Sequence, residues 1–98
     1  MFDTEVTDHL EAIERKFHSL IHREIAQQLR FDPLVETRNR KPLLRENKID
    51  ADWEIRFGPD NRFRVLYTVD EGNREVVILA IGVKRGNRLI VGDEEMRL

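Results

Sequence analysis

Between Trp53 and Val91 the chain alternates apolar and polar residues with a period of two, and arginines stand at set points along the alternation. The first run is Trp53-Glu54-Ile55-Arg56-Phe57. The second is Phe63-Arg64-Val65-Leu66-Tyr67-Thr68-Val69, and the third is Val76-Val77-Ile78-Leu79-Ala80-Ile81-Gly82-Val83. Lys84-Arg85 follow at once, and Asn87-Arg88-Leu89-Ile90-Val91 closes the series. A period of two belongs to a strand with one buried face. It places Trp53, Ile55 and Phe57 on one side of a sheet and Glu54 and Arg56 on the other. Phe63, Val65, Tyr67 and Val69 likewise share a face, and Arg64 points away from it. The third run is apolar on both faces, as a central strand would be. Gly58-Pro59-Asp60-Asn61 and Glu71-Gly72-Asn73-Arg74 read as the hairpin turns between them. The expected product is a small twisted antiparallel sheet with an apolar side and a side carrying guanidiniums. Such forks match phosphate oxygens and carboxylates alike. The sheet therefore points to a phosphate-rich substrate, an acidic protein partner, or both.

The N-terminal third has a different period. Leu10, Ile13, Phe17, Leu20, Ile21, Ile25 and Leu29 form one apolar stripe at helical spacing. Thr4 or Thr7 is placed to cap its start, and Asp32-Pro33 to stop it. No Gly or Pro interrupts residues 5–30, so the pattern alone allows one long helix. A helix of about 25 residues, rising 1.5 Å each, would however overrun strands about 20 Å long. Residues 31–51 carry little periodicity and read as an extended connection held by Pro33 and Pro42. Helices first and an antiparallel sheet after make an α+β fold, and 98 residues make a single domain, 1–98.

Composition narrows the function classes. With 40% hydrophobic residues a packed core forms without staples, and with no cysteine there are neither disulfides nor thiolate metal sites. That fits a cytoplasmic setting. No apolar run has the length of a membrane span. The net charge of −2 gives no global mark of a nucleic-acid binder, but the charge is unevenly spread. Residues 1–14 hold Asp3, Glu5, Asp8, Glu11 and Glu14 and no lysine or arginine, whereas residues 38–48 hold Arg38, Arg40, Lys41, Arg45 and Lys48 against Glu46 alone. A basic segment is either a solvated loop or a site for phosphate or an acidic partner. His18 and His22 are four apart, a spacing that suits one metal, but no third ligand accompanies them, and no metal or cofactor is expected. By parity Tyr67, Trp53 and Phe63 belong to the core.

Four stretches together resemble the RelE/ParE superfamily of bacterial type II toxins: Val35 to Leu43, Trp53 to Phe57, Arg62 to Tyr67, and Ala80 to Glu95. The likeness covers roughly residues 8 to 95 and rests on the order and spacing of all four stretches. It implies an N-terminal helical hairpin, broken near Glu14-Arg15-Lys16, packed on the sheet. Relatives usually begin with a strand ahead of the first helix; here only Met1 to Thr4 precede the helical pattern. That first strand is expected to be missing or very short, through a naturally short chain or a start assigned too late, and an uncovered sheet edge invites a homo-oligomer.

The implied function is the toxin component of a type II toxin–antitoxin system. It would be a metal-independent, ribosome-dependent mRNA endoribonuclease that inhibits translation in a stress response and is held inactive by a cognate antitoxin. Such cleavage needs a base for the ribose 2′-OH, cations for the charge building on phosphorus, and an acid for the leaving oxygen. The resemblance assigns catalytic roles to Arg64, Arg85 and Lys84, and substrate binding to Arg56, Arg88, Arg40 and Lys41. Glu54 stands where some members have lysine. Val91 stands about where many carry a tyrosine, whose stacking and proton transfer it cannot supply. Glu94 and Glu95 lie within possible reach of the site. Two alternatives stay open: a non-enzymatic toxin of the gyrase-inhibiting branch, and an inactive toxin-like protein that only binds its antitoxin.

Overall fold

A computed structural model of the chain describes residues 1–30 and 32–96. The fold is α+β, with the helices ahead of the sheet. Helix α1 is Val6–Glu11 and helix α2 is His18–Gln28. Between them Glu14 turns extended, with φ −51° and ψ 131°, and a 3-10 turn spans Arg15–Phe17. The helical stripe is thus broken, as the length argument requires. Neither Thr4 nor Thr7 caps α1; Glu5 takes the N-cap position without a side-chain bond. Thr4 instead bonds to Asp3.

The described strands form one open antiparallel sheet in sequence order: β1 Arg40–Pro42, β2 Trp53–Phe57, β3 Phe63–Asp70, β4 Glu75–Arg85, β5 Arg88–Val91 and β6 Glu94–Met96. Strands β2 to β5 occupy the alternating runs. Both turns fall where Gly-Pro-Asp-Asn and Glu-Gly-Asn-Arg predict them. Gly58 has φ +80°, and a Cβ there would lie 2.4 Å from the Phe63 ring. β1 and β6 were not anticipated. β1 lies inside the segment read as an unstructured connection, and its Pro42 is tolerated because β1 is an edge. Residues ahead of α1 also pair with the sheet: Phe2 bridges Ile78 in parallel, with Asp3 N–H on the Ile78 carbonyl and Ile78 N–H on the Met1 carbonyl, both at 2.8 Å.

Alternation sorts the side chains onto two cores. On the helix side, Ile55, Phe57, Phe63, Val65, Tyr67, Ile78 and Ile81 pack with Val6, Ile13, Ile21 and Ile25, and Trp53 lies half-buried against them. The buried Tyr67 hydroxyl donates to the Pro33 carbonyl at 2.6 Å, and burial pushes its pKa up to about 12. On the other side, Leu66, Ala80, Leu89 and Val91 are covered by Ala51 and Ile49. The Asn47 side chain fixes that cover, accepting from Ala51 N–H at 2.9 Å and donating to the Ala51 carbonyl at 2.8 Å. Strict alternation would put Leu79 and Ile81 on one face. Instead Leu66 pairs with Ala80 while Tyr67 pairs with Ile78, which leaves Leu79 as an extra residue on β4. This β-bulge sends Ile81 to the helix side and Leu79 to the second core.

Candidate functional site

The face of the sheet away from the helices is only partly covered. Where the cover ends, an open cavity of about 500 Å³ lies over β2, β3, β4 and β5. Four cations line it: Arg56 from β2, Arg64 from β3, Lys84 from β4 and Arg88 from β5. Glu54, Glu95, Asn87, Leu43, Leu89 and Met96 complete the wall. Four positive groups thus meet two carboxylates, in a chain whose overall charge is negative.

The floor of the cavity is rigid. Arg56 and Arg64 are direct cross-strand partners, an arrangement that repels unless an anion stands between. Glu54, two residues before Arg56 and so on the same face, is that anion. Its Oε1 accepts from Arg56 Nε at 2.7 Å and from Arg64 Nη1 at 3.2 Å. Arg64 Nε also donates to the Asn61 carbonyl at 3.0 Å, which ties its guanidinium to the β2–β3 turn. Glu54 and Arg64 are buried, 3% and 8% exposed, whereas the Arg56 side chain is 43% exposed. Burial holds the Arg64 guanidinium below its ordinary pKa; the Arg56 charge adds to that shift and Glu54 opposes it. Arginine stays charged even so. Lys84 and Arg88 are exposed and make no ion pair among the described residues.

The residues named from sequence divide into two groups. Arg56, Arg64, Lys84 and Arg88 come together in this cavity. Arg85 does not join them. Arg85 lines a separate cavity with His9, Ile13, Val83 and Asp93, whereas Arg88, its register partner at the end of the β4–β5 hairpin, lines the basic one. The expected partnership of Arg64 with Arg85 is therefore replaced by one of Arg64 with Lys84. Arg40 is buried on the helix side, in register with Ile55, and donates Nη1 to the Gln28 carbonyl at 2.6 Å. It fastens β1 to the end of α2. Lys41 pairs with Glu36 at 2.9 Å and is absent from the lining of the basic cavity. Val91 is buried in the second core and lines another cavity, with Ile49, Leu79 and Met96, so a tyrosine there would not enter the basic one. His18 bonds to the Ile13 carbonyl, and among the described residues no group of three ligands suits a metal. Glu54 is the member of this site that the resemblance does not assign. Its place was legible, since parity already put it beside Arg56.

Chemically the cavity suits a multidentate anion. Guanidiniums held by hydrogen bonds and an exposed ammonium surround a space next to a buried carboxylate, and cations beside a carboxylate can serve proton transfer next to a phosphate. Comparison of the chain with protein-family models, with curated proteins and with solved structures finds no match.

Proposed function

We propose that this chain is a toxin of the RelE/ParE kind, whose basic cavity binds the backbone of mRNA on the ribosome and promotes its cleavage. The observation that carries this reading is the convergence of Arg56, Arg64, Lys84 and Arg88 around buried Glu54 on a rigid sheet. In this reading Glu54 accepts the proton of the ribose 2′-OH as that oxygen bonds to phosphorus; the bond to the 5′ oxygen breaks, leaving a 2′,3′-cyclic phosphate, and the 5′ oxygen takes its proton from water in the open cavity. Arg64, held by the Asn61 carbonyl and Glu54, and the exposed Lys84 stabilise the charge that builds on the phosphate oxygens. Arg56 and Arg88 hold the flanking backbone.

The experiment is induction of the chain in cells without its antitoxin. Growth arrest is expected. Arg64→Ala relieves it, because removing one cation from such a site costs about 10²–10³ in rate. Glu54→Gln relieves it too, through loss of the base. Arg85→Ala, on the opposite face, leaves it in place. Arrest that survives Arg64→Ala but not Arg85→Ala overturns the assignment of the cavity.

One observation favours a second reading. Glu54 already answers both Arg56 and Arg64, which lowers the charge left for a substrate. A chain that only binds an antitoxin would need no more than this. In that case no variant arrests growth, and an acidic partner binds the same face.

A further inference from the structure

A second cavity opens beside the first. It measures about 370 Å³, shares Arg64 and Lys84 with it, and adds Arg62, Asp60 and Gly86. No hydrophobic side chain lines it. Arg62 sets its character. The guanidinium carbon stands 4.8 Å from the centre of the Phe17 ring and 5.4 Å from that of Phe63. The Arg62 carbonyl accepts from Lys84 N–H at 2.7 Å, so the two cations are tied through the backbone. Its Nε is buried and has no hydrogen-bond partner among the described residues. No described carboxylate forms an ion pair with it.

Arg62 thus differs from Arg56 and Arg64. Glu54 answers those two, whereas Arg62 is a fork held over aromatic rings that no described carboxylate pairs with, although Asp60 lines the same cavity. A guanidinium stacked on rings bonds through its edge, and that edge matches phosphate oxygens. The exposed ammonium of Lys84 shares the same space.

We propose that Arg62 and Lys84 form a second phosphate subsite, so that the ligand of this face is a single-stranded polynucleotide spanning both cavities. The inference rests on the reading of the first cavity as an RNA site and extends it to the neighbouring phosphate. An acidic peptide also brings anions, but an amphipathic one is held by apolar anchors seated in pockets as well. The second cavity offers no hydrophobic side chain for such an anchor to meet. A nucleic-acid backbone takes its affinity from charge neutralisation and counterion release, which this lining supplies.

The test is binding of a labelled single-stranded RNA oligonucleotide to the full chain across a salt series, with Arg62→Gln, Arg62→Lys and Arg88→Gln beside the wild type. Thermal melts establish that each variant is folded. Arg62→Gln is expected to reduce the slope of log affinity against log salt by about 0.7, the value for one phosphate contact on a single strand. Arg62→Lys restores most of it, which a purely ring-packing role for Arg62 would not produce. Arg62→Lys against wild type also serves if the glutamine variant unfolds: a lost slope in the folded lysine variant then contradicts a charge role. A slope lowered by Arg88→Gln but unchanged by Arg62→Gln overturns the second subsite and leaves the first. Absence of RNA binding by the wild type overturns both. Binding of an acidic polypeptide in place of RNA, with the same dependence on Arg62, assigns the subsite to a protein partner and contradicts the proposal.

Discussion

Two residues decide how the open face is built. Gly82 pairs with Arg64 on one side and Val91 on the other. A Cβ at Gly82 would lie 2.8 Å from the Ile90 carbonyl oxygen, 2.9 Å from Val91 Cγ2 and 3.0 Å from Leu89 Cδ1. The first contact is backbone and cannot swing aside. Gly82→Ala is therefore expected to cost about 1–3 kcal/mol, as overpacking does, seen as a lower denaturant midpoint. Glu54 is the second residue. Glu54→Gln removes the charge that separates Arg56 from Arg64, one of them buried, and is expected to cost roughly 2 kcal/mol, the scale of a charge-assisted hydrogen bond. The same change strips an anion from the cavity, so RNA binds the variant more tightly while cleavage is lost. Tighter binding with cleavage intact would remove Glu54 from the role of base. Val91→Tyr, suggested by the family pattern, is expected to lower stability without adding activity, because Val91 is packed in the second core.

At the scale of elements, the central strand holds the helices through one polar contact. Ile81 N–H donates to His9 Nδ1 at 3.3 Å, beyond the stretch of β4 that β5 pairs. His9 must be neutral at that nitrogen to accept. Burial lowers its pKa below the usual histidine value, and Glu5, Asp8 and Asp3 oppose the shift. Arg85 and Asp93 share one cavity with the ring, and Lys48, Glu94 and Glu95 share another. A depressed folded pKa means that the unfolded chain binds the proton more readily. Stability is then full above about pH 6.5, the unperturbed value, and falls as pH drops through the lower folded pKa. His9→Ala is expected to be less stable at neutral pH and to lose this part of the pH dependence. An unchanged profile would show that the ring does not couple α1 to β4.

The elements also show what the sequence revealed and what it hid. Alternation makes β2 and β3 readable, because one buried face fixes the period, and an apolar run bounded by turn residues marks β4. β1 and β6 have three residues each, too few to show a period, and depend on neighbours for their hydrogen bonds. The bulge at Leu79 leaves no mark in a run that is apolar on both faces. The open-face positions of Arg56 and Arg64 followed from parity. The resemblance assigns Lys84 and Arg85 to one site, but the structure puts Lys84 in the basic cavity and Arg85 in another, as alternation along β4 separates neighbours. Arg62 sits at the end of a turn, where neither period applies, and only its stacking on Phe17 and Phe63 in the folded chain gives it significance.

Across the whole molecule, charge is unevenly spread. Asp3, Glu5, Asp8 and Glu11 lead into or lie on α1, and Glu5 lines a cavity with Glu94 and Glu95, while the cations of the basic cavities gather over β2 to β5. A polyanion is therefore expected to approach at the basic cavities, and more slowly as salt rises. The proposed antitoxin would use the same face. Its affinity is expected to fall when Arg56 and Lys84 are both replaced by alanine, and an unchanged affinity would place the partner elsewhere. The most direct measurement of what the open face does is a map of mRNA 5′ ends in cells that express the chain without its antitoxin. If the cavity cuts mRNA, new ends accumulate inside coding regions with the wild type and disappear with Arg64→Ala. Intact mRNA in arrested cells, or new ends that persist in Arg64→Ala, would contradict it.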